Sequence, residues 1–119
     1  MKNYMKVSKE EAPRVELHDK LGLTGAEISV NTISQGGSVP FIHSHKQNEE
    51  IYYIVAGSGE AIIDNEKITL VTGDWLRISP KAERQFFASK DHSISYICIQ
   101  VKENSLEEYT ANDAIIKEN

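Results

Sequence analysis

The sequence contains a single cysteine, Cys98, in 119 residues. No disulfide can form within the chain, which excludes a small stapled scaffold. Cys98 lies in the apolar run Tyr96-Ile97-Cys98-Ile99. No neighbouring cation would lower its pKa, so it reads as a small buried hydrophobe rather than a nucleophile. No apolar run approaches the ~20 residues that a membrane-spanning helix needs. Met1 to Lys6 carries charge with no apolar stretch behind it. It does not read as a secretory leader, and a cytoplasmic address is expected. Clustered basic residues are also missing. Thirteen Lys and Arg are interleaved with eighteen Asp and Glu, for a net charge of −5. That balance argues against nucleic acid and against an anionic membrane surface as partners.

Helical periodicity is scarce as well. Short β-branched runs punctuated by Gly, Pro, Asn and Asp dominate. Strands are expected at Ile28 to Ile33, Val39 to His45 and Glu50 to Val55. A turn is expected at Gly57-Ser58-Gly59. Glu60 to Ile63 and Lys67 to Val71 flank Asp64-Asn65-Glu66, a hairpin signal. Trp75 to Ile78, Arg84 to Ala88 and Ser93 to Val101 complete the set, and Val15 to Leu17 reads as an extra edge strand. So many short, closely spaced strands predict an all-β sandwich or barrel. Ser105, with Glu108 three residues on, has the capping-box pattern of a helix start in the tail. One domain over 1–119 is expected, with an N-terminal arm at 1–25, a barrel core at 26–101 and a tail at 102–119.

One segment concentrates chemistry: Phe41-Ile42-His43-Ser44-His45-Lys46-Gln47-Asn48-Glu49-Glu50. On a strand, alternate side chains share a face, so His43 and His45 project together. Glu50, at the start of the next strand, can return beside them. Two neutral imidazoles and a carboxylate suit a borderline divalent metal, with positions left open opposite them. The competing reading is a pair of surface histidines near acidic residues. By alternation from Glu50, Tyr52 and Ile54 share its inward face. Phe41 aligns with His43 and Phe86 with Arg84, as aromatic walls suited to a small organic ligand or to plain core packing. Trp75 reads as core or interface. His18 and His92 stand alone and read as surface residues.

The spacing Gly37, five residues, His43, one residue, His45, four residues, Glu50, six residues, Gly57 resembles the first cupin motif, G-x5-H-x-H-x(3,4)-E-x6-G, at every fixed position. The stretch from Gly73-Asp74-Trp75-Leu76-Arg77-Ile78-Ser79-Pro80 is similar to the second cupin motif, G-D-x-x-x-I-P-P-G-x-x-H. Here Ser79 stands for the first Pro, Lys81 for the Gly, and Arg84 for the His that is the family's usual fourth metal ligand. The resemblance implies an antiparallel jelly-roll β-barrel of six to eight strands. It carries over His43, His45 and Glu50 as ligands of a divalent ion, with Fe, Mn, Ni and Zn all compatible.

Arg84 admits three placements: paired with Glu50 in the metal's place, beside the metal as a clamp for an anionic substrate, or turned outward. In the enzyme reading, the chain is a metal-dependent dioxygenase or isomerase acting on a small anionic organic molecule. Arg84 then orients the substrate and Tyr52 assists proton transfer. In the alternative, it is a non-catalytic module that binds a sugar or organic acid at a degenerate, metal-free site. The resemblance also implies a homodimer, with the N-terminal stretch and the tail as candidate arms.

Overall fold

The computed structural model describes residues 2–108 and 112–118. Among them the β-branched and aromatic runs form seven strands. These are β1 (Arg14–Glu16), β2 (Glu27–Ile33), β3 (Asn48–Ile63), β4 (Glu66–Val71), β5 (Trp75–Ile78), β6 (Arg84–Ala88) and β7 (Ile94–Lys102). A one-turn helix, α1 (His18–Leu21), links the first two; four residues are too few to leave a periodic trace in the sequence. Every strand pairing is antiparallel. The fold is the antiparallel jelly-roll barrel that the motif resemblance implies, and the expected edge strand near Val15 is β1.

β3 is the spine. Its first half lies between β7 and β5, in a sheet that continues through β2 to β1. Its second half lies between β4 and β6. One strand therefore belongs to both walls of the barrel. The crossover falls at a register shift between Ile54 and Ala56, the kind of bulge that bends and twists a strand. Gly57 and Gly59 follow it. The expected turn at Gly57-Ser58-Gly59 is not there, because the strand runs through it. The glycines serve close approach instead. A Cβ on Gly57 would lie 1.9 Å from the Ser93 carbonyl oxygen, and one on Gly59 would lie 2.1 Å from that of Phe87. The hairpin beyond is as expected: Asp64 and Asn65, at φ 48° and 70°, make a two-residue turn between Ile63 and Glu66, the geometry that matches strand twist.

Two further expectations are corrected. Val39 to His45 is not a regular strand. It touches β6 through isolated bridges, Ser38 with Phe87 and His43 with Arg84. Between these bridges the chain takes five steps against three on β6. Pro40 has no N–H for a ladder, and Phe41 and Ile42 swing out, exposed, in the slack. In the tail, residues 105–108 and 112–118 hold no helix; positions 109–111 of the expected helix lie outside the described residues.

The core lies between the two walls and includes Ile54, Ala61, Leu70, Ile78, Phe86 and Ile94. Burying each large side chain contributes roughly 1.5–3 kcal/mol. Trp75 is not part of it. It is 68% exposed and packs on the Tyr53 ring, 4.4 Å between centroids.

Candidate metal centre

The site is assembled by three pieces of backbone. The irregular segment ahead of β3 carries His43 and His45, fixed by main-chain bonds rather than by a ladder. The His43 N–H donates to the Arg84 carbonyl at 3.1 Å, the Arg84 N–H returns to the His43 carbonyl at 2.9 Å, and the His45 N–H donates to the Pro80 carbonyl at 2.7 Å. β3 supplies Glu50 and, two residues on, Tyr52. β7 supplies Tyr96 and Cys98 from the same inward parity, Cys98 standing opposite Tyr52.

The expected grouping of His43, His45 and Glu50 is present. One ligand atom from each lies within 4.8 Å of the others. The two imidazoles meet edge to face, 5.1 Å between centroids, and both are partly buried, whereas Glu50 is almost fully so. Burial lowers the His43 pKa from its ordinary value, with Glu50 opposing this and His45 and Arg84 adding to it. The ring is thereby kept neutral, the form that ligates.

The two oxygens of Glu50 have different partners. Oε1 accepts a bond from the Tyr52 hydroxyl at 2.6 Å and one from Arg84 Nη1 at 3.1 Å. Oε2 faces His45 Nε2 at 3.1 Å and accepts a weak bond from the Cys98 thiol at 3.4 Å. The His45–Glu50 approach is close but misaligned for a hydrogen bond, and His45 Nε2 remains buried with no partner, as does His43 Nδ1. Buried polar atoms are seldom left so. A ring nitrogen without a hydrogen-bond partner beside a carboxylate oxygen held only by a weak thiol bond is the disposition that a cation would complete. The donor set and its spacing fit a divalent ion held by His43, His45 and Glu50.

Of the three placements for Arg84, the structure has the pairing with Glu50. The side chain is 0% exposed. Its fork reaches Glu50 through Nη1 and the Ser79 carbonyl, at 2.7 Å, through Nη2. Glu83 is exposed, as strand parity requires, while Gln85 is half-buried and donates to the Val39 carbonyl at 2.7 Å. Tyr52 is buried against Phe86 and Tyr96, with centroids at 4.4 and 5.6 Å. Burial, with Cys98 and Glu50 adding to it, pushes the Tyr52 phenol far above its ordinary pKa. Tyr52 keeps its proton and donates it to the carboxylate.

A cavity of about 700 Å³ opens from this centre, a volume suited to a small organic molecule. Phe41, His43, His45, Glu50, Tyr52 and Phe86 all border it, as expected. Residues that sequence reasoning missed complete it. Cys98 was expected to be buried, and it is, but against Glu50. Desolvation first, then the Glu50 charge, raises its thiol to about 12. Ser29 and Asn31 also line the cavity from β2, Gln100 from β7 and Arg14 from β1. Their signal was the alternation Ser29-x-Asn31 and Tyr96-x-Cys98-x-Gln100. It was masked because the apolar half of each strand reads as the core side, whereas Ser29 and Asn31 are buried and Val30 is 38% exposed.

These strands, the shared β3 and the His-His-Glu cluster at the barrel mouth define a cupin. The family description "Cupin domain" matches residues 29–100, and the chain belongs to that family. Over 99% of its length it is 56% identical to a cupin protein from Bacteroides fragilis, covering 100% of that structure with a TM-score of 0.96. A sugar phosphate isomerase of the cupin superfamily from Silicibacter pomeroyi shares the fold at 18% identity, with a TM-score of 0.66 over 76% of this chain and 60% of that one. An uncharacterized protein of Methanocaldococcus jannaschii is 47% identical over 45 residues, which is 38% of this chain; the match spans 36% of that protein's length.

Proposed function

We propose that the protein is a single-domain metal-dependent enzyme, of dioxygenase or isomerase type, acting on a small organic anion. The observation that carries this reading is the unpartnered His45 Nε2 beside Glu50 Oε2 in the wall of a ligand-sized cavity. A divalent ion held by His43, His45 and Glu50 would supply a Lewis-acid centre beside the cavity. The chain's own residues set the stage for it. Arg84 and Tyr52 are positioning residues that grip Oε1 and so turn Oε2 toward His45. The aromatic wall of Tyr52, Phe86 and Tyr96 excludes water from one side. The Silicibacter relative, described as a sugar phosphate isomerase, is an instance of this barrel applied to an anionic small molecule.

The test is metal content together with turnover. The reading expects about one equivalent of metal per chain after reconstitution, lost in His45→Ala, and conversion of small organic acids or phosphorylated sugars that stops in that variant. Oxygen consumption separates the dioxygenase type from the isomerase type. A second reading draws on the Arg84–Glu50 pair, which neutralises the carboxylate: a metal-free binding module. It expects stabilisation by small acids and none by metals.

The proposal extends to assembly and address. The outer face of the β2-β7-β3-β5 wall carries a row of cross-strand neighbours, Val30, Ile97, Tyr53 and Trp75, which continues into the already buried Val15 of β1. Such a row on an outer face suits burial against a second copy, as a homodimer. Cytoplasmic residence stays part of the proposal and is tested by cell fractionation.

A further inference from the structure

The cavity has a second charged feature besides the metal centre. Arg14 stands on β1 opposite Asn31 of β2, and both border the cavity. Arg14 Nη1 donates to Asn31 Oδ1 at 2.7 Å, and Asn31 Nδ2 donates to Ser29 Oγ at 2.9 Å. Asn31 is 6% exposed and Ser29 is 2% exposed. Two polar residues buried on the inner face of a strand cost stability unless they are bonded. Here they are bonded to each other and to one guanidinium at the cavity border.

The charge balance makes this arginine different from Arg84. Among the described residues bordering the cavity, Glu50 is the one carboxylate and Arg14 the one guanidinium. Glu50 is answered by the buried Arg84 behind it. Arg14 faces only Glu16, 3.6 Å from Nη2, in a half-exposed pair that solvent screens. Arg14 is thus the cation of the cavity wall whose counter-charge is solvent-screened rather than buried, and the Asn31 amide fixes one of its nitrogens.

We infer that Arg14, braced by Asn31 and Ser29, is the anion-recognising group of the cavity, so that the ligand is a small organic acid or phosphate ester whose charged end docks on Arg14. The inference rests on the cavity being the ligand site proposed above, and it moves the substrate clamp from Arg84 to Arg14. A forked guanidinium matches the paired oxygens of a carboxylate or phosphoryl group.

The experiment is calorimetric titration of wild type and Arg14→Gln with glutarate, glycerol phosphate and the neutral glutaramide. Each titration uses reconstituted and chelator-stripped protein, with metal content measured on every sample. Arg14 is on an edge strand and half exposed, so the variant is expected to fold; circular dichroism checks this. Wild type is expected to prefer at least one of the two anions over the amide, and Arg14→Gln to lose about tenfold or more in affinity for it with unchanged metal content and amide binding. Which anion prefers wild type assigns the carboxylate or the phosphoryl class. Equal anion binding by wild type and variant, or no preference in wild type, would overturn the inference. An Arg14-dependent preference in protein that takes up no metal would keep the anion site and refute the metal reading alone.

Discussion

At the residue scale, the centre depends on how one buried carboxylate is shared. Glu50 and Arg84 are both nearly without solvent, so removing one strands the other. Arg84→Ala is expected to destabilise the protein by about 3–5 kcal/mol in urea denaturation, while the double change Glu50→Leu with Arg84→Met costs far less, because no uncompensated charge remains. A near-zero cost for Arg84→Ala would mean that the pair does not exist in solution. Cys98 gives a pH prediction. Its thiol titrates at about 12, above the unfolded value, so it is neutral in both states below the unfolded pKa. The native protein at pH 8 is expected to resist iodoacetamide for as long as the urea-unfolded chain takes to react fully. The sign of the linkage follows: stability is full in the neutral range and falls as pH rises past the unfolded thiol pKa toward 12, since only the unfolded chain then loses the proton. The cluster of His43, His45 and Glu50 was legible in the sequence because its spacing is local. Cys98, Asn31 and Arg14 were not, since only the pairing of β1, β2 and β7 brings them to the same cavity.

At the element scale, β3 carries the barrel. Most strands could be read from β-branched runs, and β6 is found at Arg84–Ala88 as expected. Two misreadings share a cause. Gly57-Ser58-Gly59 looks like a turn because glycine signals either a tight turn or a close approach, and only tertiary packing decides between them. Val39 to His45 looks like a strand by composition, but Pro40 interrupts its ladder. The glycine argument is testable with a matched pair. Gly57 sits at φ 81° with Ser93 in the way of a Cβ, whereas Gly73 sits at φ 94° with nothing within 4 Å. Gly73→Ala should therefore cost only backbone strain, about 1 kcal/mol. Gly57→Ala should cost clearly more, at least about 2 kcal/mol, because the crossover must also shift. Equal costs by chemical denaturation would remove the close approach as the reason for Gly57.

At the scale of the whole molecule, the barrel has its polarity partly reversed, with polar side chains toward the cavity and apolar ones on the outer wall. In the proposed reading the first half serves ligand binding, and the second is covered by another copy of the chain. Light scattering coupled to size exclusion is expected to give about twice the 13.4 kDa chain mass, with Ile97→Glu, in the middle of the outer row, shifting it to one chain. A wild-type monomer would leave the apolar row without its proposed partner. The metal centre is decided by elemental analysis of protein stripped with chelator and reconstituted, wild type beside His45→Ala. About one equivalent of divalent metal in wild type and close to none in the variant is the expected result. Wild-type protein that takes up no metal would contradict the account and leave the barrel as a metal-free binding module.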